Sequence, residues 1–224
     1  QILLEPVMRN TAPCIAYASY KIARKNPNAN LVITPADHLI LKEEKFKETI
    51  LTALEQAASQ DILVTLGIQP SRPDTGYGYI QVHENEKVGP LNRVKTFTEK
   101  PDLELAMEFL ESGDFVWNSG IFLWSVRTII QNFEKHLPEV ASLFSETSDK
   151  FYSDEEQKAI QETYYQCRNV SIDYGIMEKA EKVYVLRSDF GWSDLGTWKS
   201  LFEVSGKNAE NNVVQANTIT YDTT

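Results

Sequence analysis

Leu31-Val32-Ile33-Thr34-Pro35-Ala36-Asp37-His38 is a short apolar, partly β-branched run that stops at a proline and opens into an acidic turn. A run of this length, bounded by a turn signal, reads as a buried strand. Two more of the same kind follow, Ile62-Leu63-Val64-Thr65-Leu66-Gly67 and Val183-Tyr184-Val185-Leu186. Around them the apolar spacing becomes helical. Phe46, Ile50, Leu54, Ala57 and Ala58 share one face across residues 43–60, and Thr11 with Pro13 starts a helix reaching Lys25. Residues 102–112 and 126–136 read as further helices around an aromatic-rich strand at 115–124, and 154–165 as a polar surface helix. The alternation predicts an α/β fold, a sheet covered by helices.

The rest of the composition narrows the class. The 224 residues are 42% hydrophobic and 24% charged, enough for one large domain or a domain with an appendage. Asp and Glu outnumber Lys and Arg by 32 to 22, a formal charge of -10, which excludes a nucleic-acid binder relying on a broad basic surface. Cys14 and Cys167 have neither the number nor the spacing of a disulfide framework or a CxxC metal site, so a cytoplasmic setting is expected. No apolar run has the length of a membrane span, and no membrane partner is expected. After Gly206 the chain changes to Asn-punctuated, β-prone pieces, Val213-Val214 and Thr218-Ile219-Thr220-Tyr221. This puts a boundary near 207 and the start of a C-terminal β segment over 208–224.

Asp37 is expected at the carboxyl end of a central strand, where open α/β sheets bind ligands, although an Asp there serves equally as a turn cap. Asp194, in Gly191-Trp192-Ser193-Asp194-Leu195-Gly196-Thr197-Trp198, is either a helix N-cap or a second carboxylate at a strand end. The two together suit one Mg²⁺, which takes oxygen ligands from one or two carboxylates and leaves the rest to phosphates and water. Between them lie Thr75-Gly76-Tyr77-Gly78-Tyr79-Ile80, Phe97-Thr98-Glu99-Lys100-Pro101 and Trp117-Asn118-Ser119-Gly120-Ile121-Phe122. Each sets glycine or polar residues among strand-forming aromatics, as where backbone approaches a ligand. Singly, they read as an aromatic hairpin turn, a solvated Glu-Lys pair and a tight turn in a buried strand.

In order, and together with Glu5-Pro6, Arg9-Asn10-Thr11-Ala12-Pro13 and the segment Ser171-Ile172-Asp173-Tyr174-Gly175-Ile176-Met177-Glu178-Lys179, they resemble successive motifs of bacterial mannose-1-phosphate guanylyltransferases. The resemblance runs from Leu3 to about Trp198. It implies a Rossmann-like nucleotidyltransferase sheet over residues 1–207 and transfer of GMP from GTP to mannose 1-phosphate, giving GDP-mannose and pyrophosphate. Asp37 and Asp194 correspond to the Mg²⁺ ligands, and Lys100 to the cation on the sugar phosphate. Gly78, Glu99 and Asn118 correspond to the contacts with mannose, with Asp173 in support. Glu5, or the backbone near Asn10 and Thr11, would read guanine, whose N1–H and amine one carboxylate can accept together. His38 is expected to be a structural partner of its loop, because an already anionic sugar phosphate needs no base to attack.

The sequence departs from that pattern at its start. Members of the family open with a strand, a GGxGTRLxP loop and a Pro-Lys that hold the triphosphate, and these motifs are absent here. The strand expected at residues 2–4 would then lack neighbours, leaving a sheet edge bare. The chain alone is accordingly expected to release no pyrophosphate from GTP and mannose 1-phosphate at an enzymatic rate. A homo-oligomer through that edge or the C-terminal segment is expected to cover it. The rival readings are a nucleotidyltransferase for another sugar 1-phosphate or nucleotide, a non-catalytic sugar-nucleotide-binding regulatory subunit, and a metal-dependent phosphatase. Two carboxylates at strand ends and three sugar-facing motifs weigh against the last two.

Overall fold

A computed structural model describes residues 1–214, 216 and 217. In chain order the elements are α1 (Thr11–Lys25), β1 (Asn30–Ile33), β2 (Leu39–Ile40), α2 (Glu43–Ser59), β3 (Leu63–Ile68), β4 (Gly78–Val88), β5 (Leu91–Glu99) and α3 (Leu103–Ser112). They continue as β6 (Phe115–Ser125), α4 (Val126–His136), α5 (Pro138–Thr147), α6 (Glu156–Gln166), β7 (Val183–Ser188), β8 (Trp192–Ser193) and α7 (Trp198–Val204). Six strands make one mixed sheet in the order β1-β6-β3-β7-β5-β4, while β2 and β8 form a separate two-stranded ribbon.

The apolar runs become strands because both sheet faces are covered. Leu63, Phe122, Trp124 and Val183 point into a core shared with α1, α4, α5 and α6. Their neighbours Val64, Leu66, Ile121 and Leu123 point the other way, onto Ala53 and Ala57 of α2. Successive side chains on a strand face opposite sides, so a strand buried on both faces has no polar alternation to show. Helix ends follow local chemistry. The Asp102 carboxylate accepts from Leu105 N–H at 2.9 Å and the Ser125 hydroxyl from Thr128 N–H at 3.0 Å, while Gly113, at φ 75°, ends α3 in the left-handed region.

Three expectations change. Residues 2–4 form no strand: Ile2 and Leu4 are exposed, and only Leu3 packs against the core. An apolar triplet becomes a strand only where a ladder accepts it, and among the described residues none pairs with it. Among the described residues the strand leading to Asp37 stands at the sheet edge rather than its centre, β1 pairing there with β6. The aromatic segment at 75–80 is not a hairpin turn but the entry to a long hairpin, β4 with β5, whose turn comes later at Gly89. The outer half of that hairpin escapes a sequence reading because His83 to Lys87 is polar and mostly solvent-facing, without strand-like patterning.

Residues 208–212 close a turn through Asn208 N–H to Asn212 O at 3.0 Å, and residues 213 and 214 are not strand. Residues 218–221, where further β structure is expected, lie outside the described residues. Cys14, exposed, and Cys167, buried, are both free; both thiols are pushed up to about 11, Cys167 by burial and Cys14 by partial loss of solvation together with the nearby Glu5 carboxylate. No described helix is long and apolar enough to cross a membrane.

Candidate active site

The site grows from an irregularity in β6. Against β3, Thr65 pairs with Phe122 but Gly67 pairs with Asn118, so β6 spends two more residues than its neighbour over the same span. Gly120 absorbs the bulge at φ 70°. The extra residues are satisfied internally. The Ser119 hydroxyl donates to Leu66 O at 2.7 Å, Gly120 N–H donates to Asn118 Oδ1 at 3.2 Å, and the Thr65 hydroxyl donates to Ile121 O at 3.2 Å. The tight turn expected within this strand is therefore a bulge that re-aims Asn118.

Asn118 Nδ2 donates to Asp173 Oδ1 at 2.8 Å. Asp173 opens a π-helical turn over Asp173–Met177, a geometry common at functional sites, and it neither caps an α-helix nor bonds Lys100. Gly78 begins β4 opposite Glu99, the last residue of β5. A Cβ on Gly78 would collide with Glu99 Oε2 and stand 3.4 Å from the Asn118 Cβ. Lys100 follows in the left-handed region at φ 48°, its N–H bonded to Tyr77 O at 3.2 Å and its ammonium 3.5 Å from Glu99 Oε1. Thus Gly78, Glu99, Lys100, Asn118 and Asp173 converge from four separate stretches of chain. Burial raises the Asp173 carboxyl above its ordinary value. Glu99 is raised too, first by burial and then by the nearby Asp173 charge.

The two strand-end aspartates are brought together by the ribbon. Leu39 pairs with Ser193 and Ile40 with Trp192, antiparallel, so the residues just outside the pairs, Asp37-His38 and Asp194-Leu195, emerge side by side. Both carboxylates act on His38, yet burial outweighs them and lowers the imidazole. His38 Nδ1 accepts from Trp192 Nε1 at 3.0 Å, which makes it a partner of its loop. Asp194 is not a helix cap; α7 starts after it and is capped by Thr197, which accepts from Ser200 N–H at 3.0 Å. Instead Asp194 Oδ1 accepts from the Tyr77 hydroxyl at 2.8 Å and from Gly196 N–H at 3.1 Å. Leu195 is left-handed at φ 51°, strain stored beside that carboxylate. Burial and the Asp194 bond push Tyr77 up to about 12, so its hydroxyl keeps its proton at neutral pH.

Among the described residues no group of three or more His, Cys, Asp or Glu side chains could hold a metal ion. Asp37 is exposed and Asp194 half-buried. An all-oxygen pair open to solvent fits a hard cation that completes its shell with phosphate and water, and it does not fit a closed structural site.

The three nucleotide candidates lie about the start of α1. Asn10, at φ 66°, caps α1 with its side chain on Thr11 N–H at 2.8 Å, and the Thr11 hydroxyl accepts from Ile172 N–H at 2.9 Å, one residue before Asp173. Glu5 lies beside the Cys14 thiol, one turn along α1 from Thr11, and the Tyr164 hydroxyl, both of which its charge raises further. The sequence signals no role for Tyr77, Thr65 or Trp192, because their partners are distant in the chain.

A model of the nucleotidyl transferase family matches residues 1–211. A mannose-1-phosphate guanylyltransferase of Escherichia coli is 36% identical over 228 residues, covering 99% of this chain and 49% of that protein. One from Sinorhizobium fredii is 40% identical over 223 residues, covering 96% of this chain and 42% of that protein. The chain thus spans about half the length of the curated relatives it matches. Among solved structures, that of a mannose-1-phosphate geranyltransferase from Thermus thermophilus superposes with a TM-score of 0.81 at 34% identity, covering 91% of this chain and 57% of that one.

Proposed function

Because the chain belongs to the nucleotidyl transferase family, we propose that it carries the sugar pocket and the metal aspartates of a guanylyltransferase that moves GMP from GTP to mannose 1-phosphate. The observation that carries this reading is the convergence of Gly78, Glu99, Lys100, Asn118 and Asp173 on one side of Tyr77 and of Asp37 and Asp194 on the other. A sugar phosphate needs hydroxyl acceptors and a cation, and a nucleotide α-phosphate needs charge compensation. The two halves supply these separately.

In the proposed reaction an oxygen of the mannose phosphate forms a bond to the α-phosphorus of GTP while the bridge to pyrophosphate breaks. Lys100 holds the sugar phosphate; its side chain is 65% exposed, which leaves the ammonium open to a ligand. Glu99 and Asn118 bond mannose hydroxyls and Asp173 holds the Asn118 amide in place, with the backbone of Gly78 close enough to touch the ring. Asp37 and Asp194 would hold Mg²⁺, which when bound offsets charge on the α-phosphate as pyrophosphate leaves. For the base, Asn10 and Thr11, tied to the Asp173 turn, and Glu5, beside Cys14 on the same first turn of α1, are the candidate readers.

Calorimetric titration with GDP-mannose tests the reading. Mg²⁺ is expected to tighten binding roughly tenfold in the unaltered chain, and Asp37→Asn or Asp194→Asn to abolish that gain. Binding indifferent to Mg²⁺, or a preference for UDP-glucose over GDP-mannose, would reject it.

The sugar half also predicts a stability effect. Asp173 and Glu99 have raised folded-state pKa values, so their contribution to stability is complete below the unfolded carboxylate range and lost as pH rises through the folded values. At neutral pH the pair therefore costs stability. Asp173→Asn removes one charge and keeps an acceptor for Asn118. Its midpoint of thermal unfolding should rise at pH 7, on the order of 2 °C, and the gain should vanish near pH 4 as GDP-mannose binding weakens throughout. A lower midpoint at pH 7 would show that Asp173 is held there for the fold.

A further inference from the structure

Tyr77 touches both halves of the site. Tyr77 is 8% exposed, and its ring is pinned edge-on by Trp117, centroids 4.9 Å apart at 70°, and by Trp192, 5.2 Å apart at 60°. The Arg72 guanidinium sits 5.9 Å from the ring centre, itself anchored to Asp74 at 2.8 Å and to Glu203 at 2.9 Å. Packed on these sides, the ring leaves its hydroxyl little freedom, and that hydroxyl donates to Asp194 Oδ1. Gly196 N–H donates to the same oxygen. Among the described residues Oδ2 accepts nothing. At its other end, Tyr77 O receives the Lys100 N–H, and the next residue is Gly78. Trp192, which packs on the ring, bonds His38 beside Asp37.

We infer that Tyr77 is a positioning residue that fixes the Asp194 carboxylate, Oδ1 held and Oδ2 free, for a divalent cation, and ties that carboxylate to the strand entry carrying Gly78 and Lys100. This rests on the metal reading proposed above. A carboxylate with one oxygen held by two donors is turned before the cation arrives, so binding does not bear the cost of ordering it. Without the hydroxyl, Gly196 N–H alone holds a side chain free to rotate.

The test is a Mn²⁺ titration followed by the electron paramagnetic resonance of free Mn²⁺, on chain saturated with GDP-mannose. Tyr77→Phe keeps the ring and its edge-on contacts with Trp117 and Trp192 and removes the hydroxyl that donates to Asp194 and lies beside Ser200. It is expected to weaken Mn²⁺ binding roughly tenfold, with GDP-mannose affinity in EDTA changing by less than about twofold. Para-aminophenylalanine at position 77, which restores a donor at the same point, should recover most of the loss. Wild-type Mn²⁺ affinity in Tyr77→Phe overturns the inference and leaves the metal reading standing. Loss of GDP-mannose binding in EDTA together with Mn²⁺, or no recovery with the amino analogue, overturns it in favour of a structural role. No Mn²⁺ uptake by the unaltered chain overturns both.

Discussion

Gly78→Val is expected to weaken GDP-mannose and mannose 1-phosphate binding by roughly 100-fold, a loss of about 2.7 kcal/mol, while leaving the fold intact. Gly78 has no left-handed backbone to protect, so conformational freedom is not the reason. Space is the reason. A Cβ there would fall on Glu99 Oε2, with Glu99 Cδ at 3.6 Å and Asn118 Cβ at 3.4 Å. The first contact is with the far end of a flexible side chain, which can swing toward solvent at small cost to stability. In doing so it leaves the pocket, and the valine methyls take the room a sugar ring would use. The midpoint of thermal unfolding should therefore shift by no more than about 3 °C. Titration of the variant beside its melting curve checks the claim; binding that survives would show that no sugar approaches Gly78.

Gly67→Val should do the opposite, costing about 3 kcal/mol of stability and lowering the midpoint by roughly 6–12 °C. Gly67 lies in β3, flanked by β6 and β7, paired with Asn118 on one side and Arg187 on the other. A Cβ would collide with Val116 Cγ2 and stand 2.7 Å from Val185 Cγ2. Both neighbours are fully buried and β-branched, each stiff at χ1, so neither can turn away. Valine's preference for strands is worth at most about 1 kcal/mol and does not offset that overlap. Denaturant unfolding measures it directly, and a variant as stable as the parent would mean that β6 shifts more easily than its packing implies. Because Gly67 faces Asn118 across the ladder, partial survivors should also lose sugar binding.

Much of the fold is legible in the chain. The runs at 31–34, 62–67 and 183–186 become β1, β3 and β7, and Phe46, Ile50, Leu54 and Ala57 lie on the packed side of α2, whereas Ala58, expected on that face, is exposed. Helix α4 begins and ends at 126 and 136, where its sequence puts it. The candidate site is legible as a set of motifs but not as a set of contacts. Asp37 and Asp194 can be named from their places after strands; what brings them together is a ribbon of two short strands that carries no strand-like pattern of its own.

Sequence alone determined the features governed by local chemistry: which segments have helical or strand periodicity, where caps and turns can form, and which polar residues stand beside glycines in apolar surroundings. Those properties depend on neighbours within a few positions. Tertiary structure decided the rest. It made β1 an edge, left Ile2 and Leu4 without a ladder, inserted the bulge that aims Asn118 at Asp173, and set the Tyr77 hydroxyl on a carboxylate 117 positions away. It also gave Gly67 and Gly78 different tasks, because a glycine's role depends on what stands where its side chain would be, and packing from distant parts of the chain supplies that.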